Sequence, residues 1–115
     1  MQLHFICQGF TVEQLLRCSF NLNETGLRIL KYLIDEKEEK TIEEIKKVMK
    51  KDRTTVQRAV KNLFREELIH RRQINLNKGG YIFVYKSAPK KELKEKIYKI
   101  FESFKETVGK EIQRW

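Results

Sequence analysis

A chain of 115 residues has room for one domain and a helix or two outside its core. With 40% apolar residues, 36% charged residues and a net charge of +9, it is a globular composition, neither disordered nor fibrous. No run of about 18 apolar residues offers a transmembrane helix, and MQLHFICQGF at the start lacks the charged region and long apolar core of a secretory signal, so a cytoplasmic address and no membrane partner are expected.

The first predicted helix covers residues 11–20. Thr11 can cap it with Gln14 three residues on, and Val12, Leu15, Leu16 and Ser19 recur at helical intervals. Cys18 lies within it. Cys7 and Cys18 form no C-x-x-C pair and have only His4 nearby, so no metal site is expected. The two cysteines read as small apolar core residues, with a redox pairing as the alternative. Phe5 and Tyr32 also read as core.

Asn23 caps a second helix with Leu27, Leu30, Tyr32, Leu33 and Ile34 as its apolar stripe. The run DEKEEK, residues 35–40, ends it in a solvated loop. TIEE opens a third helix as a capping box between Thr41 and Glu44, with Ile42, Ile45, Val48 and Met49 on the buried face. It ends near Lys50. Only a few residues later, Asp52 or Thr54 caps a fourth helix. Val56, Ala59, Val60, Leu63 and Phe64 recur at three and four and face the core. The opposite face carries Arg53, Thr54, Thr55, Gln57, Arg58, Lys61, Asn62 and Arg65.

Two runs rich in Ile, Leu, Tyr, Phe and Val then flank NKGG, the signature of a hairpin turn, because Asn77, Gly79 and Gly80 tolerate positive φ. Lys78 sits at its tip, and Arg71, Arg72 and Lys86 lie on its strands, with His70 beside them. Pro89 breaks the chain. The last helix, within residues 89–115, carries an apolar stripe of Leu93, Ile97, Ile100, Phe101, Phe104, Val108, Ile112 and Trp115 over about six turns.

Residues 50–91 hold twelve cations and three anions, and the charges elsewhere cancel. The whole excess of +9 therefore sits in one segment, as expected of a surface that meets a polyanion. Lys and Glu dominate the charged set of the whole chain and Gly and Pro are scarce, a bias that fits a thermophilic source.

Helix, helix, turn, helix and hairpin is the order of a winged helix-turn-helix, mainly α with a small β-hairpin wing. The expected organisation is an N-terminal segment over residues 1–22, the winged helix over 23–88 and a C-terminal dimerisation helix over 89–115. The fourth helix would enter the major groove of double-stranded DNA, and the wing would meet the backbone or the minor groove. Arg53, Arg58, Lys61 and Arg65 suit phosphates or guanine edges; Thr54, Thr55, Gln57 and Asn62 suit phosphates or adenine. Arg71, Arg72 and Lys78 complete the expected DNA contacts.

The motif TTVQRAVKNL, residues 54–63, resembles the recognition helix of archaeal TrmB-like and bacterial MarR-like transcriptional regulators, S-T-V-x-R-x-hydrophobic-x-x-L. Gly79, Gly80, Tyr81, Phe83 and Tyr85 resemble the TrmB wing. The resemblance covers roughly residues 23–88 and implies a DNA-binding regulator. TrmB-like proteins often carry a large C-terminal sugar-binding domain. Only a helix is read after Pro89, so no sugar effector is expected. The Gly usual at the end of the recognition helix is replaced by Glu66-Glu67, which requires another way of capping that end.

The last helix either packs back on its own domain or pairs with a second chain. Its Phe, Trp and Ile content favours pairing, at roughly 1.5–3 kcal/mol per large side chain buried, and a twofold pair would place two recognition helices on successive major grooves. The alternatives to a sequence-specific regulator are a winged-helix protein adaptor and a non-specific chromatin or RNA binder. No nucleophile elbow, P-loop, dinucleotide glycine pattern or metal constellation is present, so neither catalytic residues nor cofactors are expected.

Overall fold

The computed structural model describes residues 11–115, so the expectations for His4, Phe5 and Cys7 lie outside the described residues. In chain order the elements are α1 (Val12–Phe20), α2 (Glu24–Asp35), β1 (Lys40–Thr41), α3 (Ile42–Met49), α4 (Arg53–Arg65), β2 (Ile69–Asn75), β3 (Tyr81–Ser87) and α5 (Lys90–Arg114). Two compact units result, one spanning residues 22–89 and the other combining α1 with α5.

The unit of residues 22–89 is a winged helix-turn-helix. Each helix begins where a short polar side chain replaces the missing intrahelical acceptors of the first turn. Asn23 Oδ1 accepts from the Gly26 N–H at 2.8 Å to start α2. At α3 the box is reciprocal: Thr41 Oγ1 accepts from the Glu44 N–H at 3.1 Å, and Glu44 Oε1 from the Thr41 N–H at 3.2 Å. The bond from the Thr41 backbone first, and then one that the Thr41 hydroxyl donates to the same Oε1 at 3.2 Å, hold the Glu44 carboxyl below its ordinary range. Asp52, not Thr54, caps α4: one of its oxygens accepts from the Thr55 N–H at 3.3 Å and the other from the Thr55 hydroxyl.

The turn between α3 and α4 needs a left-handed residue, and Lys50 supplies it at φ 56°. At the far end of α4, Glu67 takes φ 60°. The Leu68 N–H then reaches back to the Leu63 carbonyl and the Glu67 N–H to that of Phe64, both at 3.0 Å. The closure that a glycine ordinarily makes is made here by a glutamate.

The core of this unit is Leu27, Ile29, Leu30 and Leu33 from α2, Ile45 and Met49 from α3, and Val56, Ala59, Val60 and Leu63 from α4, with Leu68, Ile69, Val84 and Tyr85 of the sheet. Ile29, outside the expected α2 stripe, is fully buried, whereas Tyr32 and Ile34 are half-buried. Val48 and Phe64, assigned to core faces, are exposed. Phe64 is drawn outward by the Arg71 guanidinium of β2.

The wing is a three-stranded antiparallel sheet of order β1-β3-β2. The two-residue strand β1 comes from the end of the charged run read as loop, pairing Lys40 with Tyr85 and Thr41 with Val84. Gly79 and Gly80 have φ of 94° and 78°, so the turn uses two glycines where side chains would be strained; Asn77 is not left-handed.

In the other unit, α1 packs on α5, with Leu16, Phe20 and Leu93 buried. Thr11 and Gln14 form the expected capping box of α1. Cys18 is exposed, not core: it stands about 200° around the helix from Leu16, at 100° per residue. Along the α5 stripe only Leu93 is buried. Ile97 and Phe101 are half-buried, and Ile100, Phe104, Val108, Ile112 and Trp115 are exposed. No helix among the described residues is long and apolar enough to cross a membrane.

Candidate nucleic-acid interface

The outer face of α4 exists because its inner face is sealed. Val56, Val60 and Leu63 are at most 2% exposed, so the residues between them point outward. Arg53, Thr54, Gln57, Arg58, Lys61 and Arg65 are exposed there, and Thr55 and Asn62 are half-buried.

These side chains are not equally available. Arg53 is ion-paired with Glu43 of α3. The Thr55 hydroxyl is taken by Asp52, whose carboxyl is held below its ordinary range first by that bond and then by the Thr55 backbone. Arg65 donates to Asn62 Oδ1 at 2.6 Å. Arg58 and Lys61 have no carboxylate partner among the described residues.

Two concavities flank this face. One is bounded by Asn23, Thr25 and Gly26 at the start of α2 and by Thr55, Arg58, Lys61, Asn62 and Arg65 of α4. The other, a groove of about 480 Å³, lies between α4 and the wing, where Arg53, Gln57, Lys61 and Phe64 face Arg71, Tyr81 and Phe83.

The adjacent arginines of β2 part company in the sheet. Strand alternation sends neighbouring residues to opposite faces. Arg71 opposes Tyr85, on the face that also holds Phe83 and Tyr81; Arg72 opposes Val84 on the other. Arg71 then lies over two rings, its guanidinium carbon 4.3 Å from the centroid of Phe64 and 4.2 Å from that of Phe83. Arg72 lies across Glu39, with Nε 3.2 and 3.1 Å from the two carboxylate oxygens and Nη2 2.8 Å from one of them. That contact draws the Glu39 carboxyl down and the Arg72 guanidinium up from their ordinary values. Lys78 is exposed in the turn of the wing.

Three members of this surface, Phe64, Glu39 and Glu43, are not candidate site residues on sequence grounds. An aromatic at the edge of the α4 stripe, followed by an arginine seven residues on, is the only local sign of the stack. The two glutamates sit in acidic runs that look like ordinary solvated surface.

The DnaD N-terminal domain family matches residues 12–108. Uncharacterized protein MJ1503 of Methanocaldococcus jannaschii is 34% identical over 98 residues, which span 85% of this chain and 74% of that protein. A solved structure described as a possible transcriptional regulator, from Methanosarcina mazei Go1, superposes with a TM-score of 0.88 at 35% identity, over 96% of this chain and 93% of the other. MepR of Staphylococcus aureus, in its complex with DNA, has a TM-score of 0.55 at 20% identity, over 89% of this chain and 85% of its own, a likeness of fold alone.

Proposed function

The chain belongs to the DnaD N-terminal domain family, and from the geometry of α4 we propose that it is a sequence-specific, double-stranded-DNA-binding transcriptional regulator that acts as a homodimer. One observation carries the reading. The outward face of α4 offers Arg58 and Lys61 without carboxylate partners among the described residues, on a helix whose other face is locked into the core and whose flanks are the α2 start and the wing. A rigid rod with free donors is what major-groove recognition requires. Arg58 suits a guanine edge or phosphate, Gln57 and Asn62 adenine, and the α2 start a backbone phosphate. The likeness to a possible transcriptional regulator and, by fold, to a DNA-bound MepR supports the same reading.

Gel-shift titration on genomic duplex fragments tests it. Binding that weakens linearly in log affinity with log salt is expected, because phosphate contacts release counterions. No binding at low salt, or binding without salt dependence, rules the reading out. Selection of bound duplexes from a random pool should enrich an inverted repeat; flat enrichment would favour a non-specific binder.

A second reading is favoured by the exposed Ile100, Phe104, Val108 and Ile112 of α5, which could dock another protein. Light scattering separates the two, since a dimer uses that stripe on itself and a monomer leaves it open.

A further inference from the structure

The groove between α4 and the wing is built in a way that duplex recognition by α4 does not require. Its walls alternate planar groups with cations. The Arg71 guanidinium lies over the rings of both Phe64 and Phe83. Tyr81 follows at 5.4 Å from Phe83, inclined at 67° rather than stacked in parallel, and 57% of it is exposed. Lys61 stands on the facing helix with no carboxylate partner among the described residues.

The stack matters chemically. Both rings lie against the Arg71 guanidinium, and a guanidinium packed on rings keeps its N–H donors for partners in its own plane. No acceptor among the described residues takes those donors. The group is thus charged, packed against two rings and without a hydrogen-bond acceptor among the described residues, which suits a phosphate oxygen. Among the described residues of the lining, Arg53, Lys61 and Arg71 outnumber the single carboxylate Glu43, so the groove is positive. At about 480 Å³ it falls in the size range of small-ligand clefts.

Cations that track a backbone, interleaved with rings on which bases stack, make up the general solution for holding unpaired strands. We propose that this groove binds single-stranded nucleic acid, with an unpaired base stacked on Tyr81 and the adjoining phosphates on Arg71 and Lys61. This activity is distinct from duplex binding, which is assigned to the Arg58 side of α4, and Lys61 lies between the two surfaces and borders both.

Fluorescence anisotropy of the full chain with a labelled oligo(dT) of about twelve nucleotides, and with a duplex of the same length, tests it at about 50 mM salt. Tyr81→Ala should loosen oligo(dT) about tenfold, Tyr81→Phe should keep affinity within about twofold because the ring remains, and duplex affinity should shift less than about threefold in both. Arg58→Ala should spare oligo(dT). Circular dichroism checks that each variant is folded. The proposal is overturned if oligo(dT) shows no saturable binding, or if Tyr81→Ala binds it as wild type does. It is equally overturned if thymidine monophosphate competes as well as the strand, which would make the groove a small-molecule site. Loss of duplex binding with oligo(dT) binding intact would sink the regulator reading and leave this one standing.

Discussion

Arg72 of β2 and Glu39, 33 residues earlier, meet through three hydrogen bonds in a fork that ties the wing to the segment before β1. A cation so engaged must exchange a carboxylate for a phosphate before it can hold DNA. Glu39→Gln should therefore raise duplex affinity and steepen the slope of log affinity against log salt by about 1, as one more phosphate contact is released to act. An unchanged slope in anisotropy titrations between about 50 and 200 mM salt would show that Arg72 serves the wing's position alone.

Arg58 makes the opposite case, being exposed and free of carboxylates among the described residues. Arg58→Ala should weaken specific duplex binding by roughly 1–3 kcal/mol, with an unaltered circular dichroism spectrum. Equal affinity for variant and wild type would remove Arg58 from the interface.

The exposed stripe of α5 should govern assembly. Phe104 is 41% exposed at the middle of it, so Phe104→Asp should convert a dimer of 13.9 kDa chains to monomer in multi-angle light scattering, because a charge cannot be buried in an apolar seam without a partner. A wild-type monomer would defeat the dimer before any variant is made.

Removing the α3 cap should be costly and sensitive to acid. Thr41→Ala deletes both the acceptor for the Glu44 N–H and the hydroxyl that donates to Glu44 Oε1, and should destabilise the protein by about 1 kcal/mol in urea denaturation at neutral pH. The Thr41 backbone N–H first, and then the Thr41 hydroxyl, hold the Glu44 carboxyl below its ordinary value, so their contribution is complete above the unfolded value of about 4 and fades as the pH falls through the lower folded one; Thr41→Ala keeps the backbone bond and loses the hydroxyl's share. The gap between variant and wild type should thus narrow below about pH 4. A gap that widens there would contradict the cap.

Glu67 holds a left-handed backbone that costs an L-residue about 1–2 kcal/mol, partly offset by the greater unfolded-state freedom of glycine. Its carboxylate also lies just past the negative end of α4. Glu67→Gly should accordingly stabilise the protein, by about 1 kcal/mol in the same denaturation assay. A net loss of stability would mean that the Glu67 side chain contributes more than its backbone conformation costs.

Much of this architecture is local, and so is legible in the order of the residues. Capping at Thr11, Asn23 and Thr41 depends on residues three positions apart, and the burial of Val56, Val60 and Leu63 follows from the 3.6-residue period. The Gly79-Gly80 turn follows from positive φ, and the basic segment from counting charges.

What is not legible there depends on partners distant in the chain. Nothing within a few residues of Arg71 or Arg72 distinguishes them; the pleat of β2 sends one to Phe64 and Phe83 and the other to Glu39. The same holds for β1, which is a strand only because β3 offers its edge, and for Phe64, which leaves the core for a cation. By itself the sequence determined which residues are helical, which faces are apolar and where the charge lies, because these follow from short-range periodicity and composition. Only the tertiary structure decided which cations are free and which are already engaged, because that depends on contacts between groups brought together by folding.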